Sequence, residues 1–305
     1  MTRFASTRAT EVLVLQGSAL LGAVLGSVGH DGLALGRIAL VVAGSLALTA
    51  HIYLFNDWAG QSSDLNDPRR ARNVFGSSEI SSREVARLVV GLLVVALPLL
   101  ALVGAPALLC GAAIAALSLV YSGSTSWGKG KPIMGSVLHL IGGTFHFLLG
   151  YSASHAIDAR GVAIAIFFGL VFAGGHLNQE VRDYDADVRS RIRTNAVAFG
   201  CRRTFIYSLL VFTAAYILLG VLVSLGILAR PLIWATLFWP WHVASSMHAL
   251  RHGLGFEAAV SMQRRYRLQF ALLGLAMLLT ATPVAEFARR VHANATTTRF
   301  ATRSE

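Results

Sequence analysis

Charge is scarce in this chain of 305 residues. Only 13% are Asp, Glu, Lys or Arg, where a soluble domain carries roughly 25%. That excludes an ordinary water-soluble globule. Acids are the rarer sign, 15 against 26 Lys and Arg, for a formal charge of +11. No polar stretch is long enough to fold as a separate basic module, so nucleic acid is excluded as the partner of that charge. An anionic membrane surface and an anionic substrate remain. Cysteine is nearly absent: Cys110 lies inside an apolar run and Cys201 beside Arg202 and Arg203. The pair has neither the spacing of a metal site nor the setting of a disulfide. With 7 prolines and no low-complexity run, nothing marks a linker between domains.

What the chain has is apolar length. Hydrophobic residues make up 55% of it and gather into nine runs, at about 11–28, 34–58, 85–104, 106–122, 135–154, 160–179, 204–226, 231–250 and 267–287. Each is near the ~20 residues that cross a hydrocarbon core. None alternates like a barrel strand, and backbone in lipid must close its own hydrogen bonds, so the runs are read as helices. The expected fold is all-α, a polytopic membrane bundle of nine transmembrane helices around a central cavity open to the cytoplasmic side. It forms one domain over residues 1–290, followed by a basic polar tail at 291–305. The first run is too long for a signal-peptide core and reads as the first span.

With the N-terminus inside, the loops after the second, fourth, sixth and eighth helices, with their helix edges, hold 17 Lys and Arg. The opposite side holds 3, Arg37, Arg160 and Arg230. This bias turns the basic loops to the cytoplasm, and the expected location is a multi-pass protein of a bacterial cytoplasmic membrane. Arg289, Arg290, Arg299 and Arg303 run against the pattern, because nine helices leave them outside.

The same loops collect most of the acids. One cluster lies in LFNDWAGQSSDLNDPRRARN at 54–73, the other in HLNQEVRDYDADVRSRIRTNAVAFG at 176–200. Glu180, Asp183 and Asp187 stand at i, i+3 and i+7, on one helix face. Asp57 and Asp64 are also seven apart, with Asn56 and Gln61 nearby and Asp67 just before Pro68. Two such clusters facing each other call for a cation. Mg2+ suits oxygen donors: it keeps several waters, takes one or two carboxylates from each side and completes its shell with phosphate. The bases trailing each cluster then suit a diphosphate, Arg through its planar fork and Lys as a point charge. Charges at membrane helix ends also set topology or pair as salt bridges. Two clusters on one side, each followed by bases, favour the metal–diphosphate reading.

These stretches resemble the motifs of the UbiA-type intramembrane prenyltransferase superfamily. The first family motif, N-D-x-x-D-x-x-x-D, is similar to Asn56-Asp57-Trp58-Ala59-Gly60-Gln61-Ser62-Ser63-Asp64. The second, D-x-x-D-x-x-x-D, is similar to Glu180-Val181-Arg182-Asp183-Tyr184-Asp185-Ala186-Asp187, with Glu for the first Asp. The N-x-P-x-R tail resembles Asn66-Asp67-Pro68-Arg69-Arg70, and a Tyr-Ser and Lys pattern resembles Tyr121-Ser122 with Lys129 and Lys131. The resemblance spans about residues 10–287. It implies a Mg2+-dependent transfer of a prenyl group from a prenyl diphosphate donor to a lipophilic, typically aromatic, acceptor within the lipid bilayer. Oligomeric state stays open. The metal ligands it implies are Asn56, Asp57, Asp64, Glu180, Asp183 and Asp187, with Asn56, Arg70, Lys129, Lys131 and Arg182 on the diphosphate. Gly60 departs from the family, standing where a motif Asp is usual. Either Asp57 or Asp64 takes over there, or a single metal rests mainly on Asp183 and Asp187.

Breaking an allylic C–O bond builds negative charge on the diphosphate, which Mg2+ and the basic residues would stabilise. The catalytic candidates are Arg182 for that charge and Asp67 or Asp185 as base for the acceptor proton. Phe145, Phe147, Tyr151 and Tyr184 are the aromatic faces expected to shield the allylic cation, at roughly 0.5–2 kcal/mol each. His139 and His146, seven apart on one face, either line the cavity or pack with a hydrogen bond. His176, one turn before Glu180, is placed to orient it. Two rivals stand. One is a same-fold enzyme of other chemistry, a terpene cyclase or a prenyl-phosphate phosphoribosyltransferase. The other is a transporter or scaffold, disfavoured because transport sites sit at the midplane within broken helices.

Overall fold

The structure is a computed structural model that describes residues 2–28, 35–61, 81–123 and 127–281, with side chains from Glu11 onward. Asp64, Asp67 and Arg70, and the tail at 291–305, lie outside the described residues. Among the described residues there is helix and turn but no strand. The long helices are α1 (Thr2–Ser27), α2 (Leu35–Ala59), α3 (Ser82–Val103), α4 (Ala105–Gly123), α5 (Met134–Tyr151) and α6 (Ala159–Arg182). Two short helices follow, α7 (Tyr184–Arg189) and α8 (Asn195–Phe199). Then come α9 (Cys201–Ser224), a 3-10 segment (Arg230–Leu237) that runs into α10 (Phe238–His252), and α11 (Phe256–Ala281).

Local chemistry explains several of these boundaries. At the start of α3 the Ser81 side chain accepts from Glu84 N–H (3.3 Å) while Glu84 Oε2 accepts from Ser81 N–H (2.7 Å), a reciprocal cap for two orphan donors. α6 opens on Asp158, whose Oδ1 accepts from Gly161 N–H at 2.7 Å. The eighth run begins as a 3-10 turn with Pro231 in its first positions, where proline costs no hydrogen bond. Arg37 Nη2 donates to Val103 O (2.7 Å) and Ser152 O (3.4 Å), satisfying carbonyls at the C-terminal ends of α3 and α5.

Helices adjacent in sequence pack side by side in a closed ring: α2 on α3, α3 on α4, α4 on α5, α5 on α6, α6 on α9, α9 on α10, α10 on α11, and α11 back on α1 beside α2. Across the ring α1 also packs on α5, and α11 on α6. The α1–α5 crossing is close because it is glycine on both sides. A Cβ at Gly22 would collide with the Phe147 carbonyl, and one at Gly150 with the Ala19 carbonyl, the small-residue contact that membrane helices use.

The outer face is inverted relative to a soluble protein. Val94 (64% exposed), Leu102 (71%) and Leu109 (68%) point outward from α3 and α4, a surface suited to lipid rather than water. Among the described residues, five helical segments are long and apolar enough to cross a membrane: α2, α3, α4, Ala159–Arg189 (α6 continued through α7) and α9. The expected runs in α1, α5, α10 and α11 are helical too but more polar. α5 carries Ser136, His139, Thr144 and His146, and α11 carries Glu257, Arg264, Arg265 and Arg267. α11 begins eleven residues before the run read from hydropathy, because that charged first half still buries Ala259, Met262 and Gln263.

Candidate active site

The ring encloses a cavity of about 810 Å³ lined by α1, α2, α4, α5, α6, α7 and α11. Much of its wall is apolar, from residues such as Leu21, Ile114, Phe167, Phe168, Phe270 and Met277. The polar side chains gather where α2 ends and α6 passes into α7.

α2 delivers Asn56 and Asp57 to the wall. Ser122, from the end of α4, donates to Asn56 Oδ1 at 3.3 Å. Gly60 closes the last turn, its N–H donating to Asn56 O (2.9 Å), and it brings no side-chain oxygen. Opposite, α6 stops at Asp183 and α7 resumes at Tyr184. Asp187 N–H donates to Asp183 O at 3.0 Å, so the two carboxylates stand one turn apart and both line the cavity.

Each of these acids has a base beside it. The Arg182 guanidinium grips Asp183 with a fork, Nε to Oδ1 at 2.8 Å and Nη2 to Oδ2 at 2.9 Å, and its Nη1 donates to Gln263 Oε1 at 2.9 Å. Lys129 Nζ is 3.7 Å from Asp187 Oδ1, and Asp187 is almost fully buried. Glu180 is also buried, with Oε2 accepting from Asn195 N–H (3.1 Å) and Oε1 3.1 Å from His176 Nε2. That imidazole contact is close but too poorly aligned to satisfy His176 Nε2 as a hydrogen bond. Glu180 lines the cavity with Asp183 and Asp187, and its carboxylate is also held by the Asn195 amide.

The histidines divide by depth. His139 stacks on His176 with ring centres 3.8 Å apart and 8° between planes, and Tyr121 meets both edge-on. His139 Nδ1 donates to Gly135 O at 2.8 Å. His146 lines the cavity and also ties three helices, with Nδ1 2.6 Å from Ser18 Oγ and Nε2 2.9 Å from Ser45 Oγ. Both histidines border the cavity and both hold hydrogen bonds.

Several expected residues lie elsewhere. Lys131 turns away from the cavity and sits over the Trp127 ring at 4.5 Å. Asp185 is exposed and, with Tyr184, is not part of the cavity wall. Tyr151 is buried at the far end of α5, donating to Asp158 Oδ1 at 3.0 Å. Phe147 packs on Phe168 in the core, ring centres 4.8 Å apart. The reason is rotational: the α5 face bearing Phe147 and Tyr151 meets α1 and α6, so the aromatic lining comes from other helices, chiefly α6 and α11, with Tyr53 from α2 and Tyr121 from α4. Residues not singled out in the sequence also line the cavity, among them Gln179 and the pair Arg267–Glu11, 3.7 Å apart across α11 and α1. A charged side chain at the margin of an apolar run was the available signal for that pair.

No group of three or more His, Cys, Asp or Glu side chains is drawn together as a metal cage among the described residues. The arrangement is instead a rim of oxygen donors and paired bases over an apolar chamber.

The fold has close structural kin. A UbiA homologue from Archaeoglobus fulgidus bound to GPP and Mg2+ superposes with a TM-score of 0.65 at 17% identity, covering 88% of this chain and 97% of that one. The apo UbiA homologue from Aeropyrum pernix K1 gives 0.69 at 16% identity, over 90% and 98%. The structure reported for digeranylgeranylglyceryl phosphate synthase in membranes gives 0.65 at 16%, over 88% and 93%. No curated protein sequence matches the chain significantly. The model of the UbiA prenyltransferase family matches residues 16–273, and with that span the chain belongs to the UbiA prenyltransferase family.

Proposed function

We propose that the protein transfers a prenyl group from an isoprenoid diphosphate to a lipophilic acceptor inside the membrane, with Mg2+ as its cofactor and the polar rim facing the cytoplasm. The observation that carries this reading is the shared wall. Asn56 and Asp57 from one helix, and Asp183, Asp187, Arg182 and Lys129 from the other side, border one apolar chamber. Such a chamber takes a prenyl tail, and such a rim takes a diphosphate.

The donor set fits magnesium. It is all oxygen, from Asn56, Asp57, Asp183 and Asp187, and Mg2+ needs only one or two carboxylates a side because water and phosphate complete its shell. When bound, Mg2+ neutralises charge on the diphosphate oxygens. The A. fulgidus homologues bound to GPP and to DMAPP with Mg2+ support the same choice of ligands.

The chain's own residues do the rest. Arg182 and Lys129 are held beside the carboxylates and present N–H donors to the diphosphate as its C–O bond breaks, when its charge rises. The tail lies against Phe167, Phe168 and Phe270, which exclude water from the allylic carbon. Tyr53, Tyr121 and Tyr266 add ring faces to that wall. With Asp185 on the surface, it is poorly placed to take the acceptor proton.

The test is release of diphosphate from labelled geranyl diphosphate by the purified chain in lipid vesicles, with Mg2+ or with EDTA, against a panel of phenolic and alcoholic acceptors. Magnesium-dependent release with a prenylated product is expected. Release no greater than that of an Asp183→Ala control would sink the reading.

A further inference from the structure

Asn195 is 2% exposed and joins three segments of the chain. Its N–H donates to Glu180 Oε2 (3.1 Å), its Oδ1 accepts from Ile133 N–H (2.7 Å) and its Nδ2 donates to Ser136 Oγ (3.2 Å). One residue thus ties the second acidic motif to the start of α5 and to the loop that carries Lys129. That loop is folded tightly beneath α4. Gly128 lies so close to the Val120 and Tyr121 carbonyls that no side chain fits there, and Lys129 N–H donates to Tyr121 O at 3.0 Å.

The loop's other end is strained. Ile133 has φ 72°, a region that β-branched residues avoid. Strain of this kind persists only where the surroundings over-determine it, and Ile133 N–H is held by Asn195 Oδ1 at 2.7 Å. Ile133 is also the N-cap of α5 and makes no side-chain cap. Asn195, from another part of the chain, grips that helix start through Ile133 and Ser136.

From this geometry we propose that Asn195 is a positioning residue for the diphosphate. It holds the 127–133 loop against the acidic motif, so that Lys129 rather than Lys131 is aimed at Asp187 and the cavity rim. The proposal rests on the prenyl-diphosphate reading above. It adds a residue with no acid, base or motif position of its own, acting through Lys129.

The experiment measures the affinity of the full chain, in lipid nanodiscs with Mg2+, for geranyl diphosphate. Asn195→Ala is expected to weaken binding about tenfold, the scale of one misplaced hydrogen bond to a charged group. Lys129→Met is expected to do about the same, and the double variant no more than Lys129→Met alone, since both remove one contact. Losses that multiply to about a hundredfold in the double variant would show that Asn195 acts independently and overturn the proposal, as would unchanged affinity in Asn195→Ala. Where Asn195→Ala does not fold, Ser136→Ala carries the same cycle. It is expected to cost about threefold alone, as a weaker neutral bond, and nothing further beside Lys129→Met. A threefold loss persisting in that background overturns the proposal. Failure of the wild type to bind geranyl diphosphate overturns the functional reading itself; binding with multiplying losses overturns only the role of Asn195.

Discussion

Asp183 and Asp187 lie one helical turn apart, each with a cationic side chain beside it. Replacing either with Ala removes an oxygen donor and leaves its base without that partner. We expect magnesium-dependent turnover to fall by a hundredfold or more, roughly the scale of losing one preorganised charge-stabilising group, while the protein still inserts in membranes. Diphosphate release by the two variants checks this. Arg182→Lys keeps the charge but loses the planar fork onto Asp183 and the third bond to Gln263. A fall in kcat/KM of about tenfold is expected, because the two side chains are not equivalent at a bidentate site; near-normal kinetics would show the fork to be dispensable. The i, i+3, i+7 spacing made the shared face of Glu180, Asp183 and Asp187 legible in the chain. It could not say that Glu180 would be turned to a backbone amide, or that Lys129 would face inward and Lys131 outward. Glu180 meets the Asn195 amide only through the fold, and Lys131 settles over Trp127, four residues before it.

At the scale of the helix, hydropathy located every long helix among the described residues but misplaced ends where polarity and burial part company. α11 is the clearest case, since its first half carries four charges yet packs one face inward. The end opposite the rim gives a test by pH. The Gly161 N–H donated to Asp158, with the Tyr151 hydroxyl adding a smaller share, holds the Asp158 carboxyl below its ordinary value. A lowered folded-state value stabilises the protein above the unfolded pKa and is lost as pH falls through the carboxylate range, near about 4. Asp158→Ala should therefore lower thermal stability at neutral pH, by about 1 kcal/mol as for other lost N-caps, and flatten its decline in acid. Thermal unfolding in detergent between neutral and acidic pH reads both. The α1–α5 crossing gives a second test. Gly150→Val forces the helices apart at the Ala19 carbonyl and should destabilise by about 1–3 kcal/mol, the usual scale of overpacking.

For the whole molecule, the sidedness of the chain is the open measurement. A cysteine-free background, with Cys110 and Cys201 replaced, allows single cysteines at Lys131 and at Ala156 to be labelled from outside sealed cells. The basic-loop bias predicts labelling at Ala156 and protection at Lys131. The reverse pattern would invert the orientation of the rim.

The chain's own order of residues determined that it is helical, that it lives in lipid and that its acids cluster with bases at one end, because each follows from local composition, helical period and the bilayer as solvent. The tertiary structure alone decided which of those charges face a common chamber. It closed the ring through α1 and α11, turned Phe147 and Tyr151 into the core, and set Lys129 at Asp187. Such choices depend on the rotation and crossing of helices far apart in sequence, which packing settles and local periodicity does not encode.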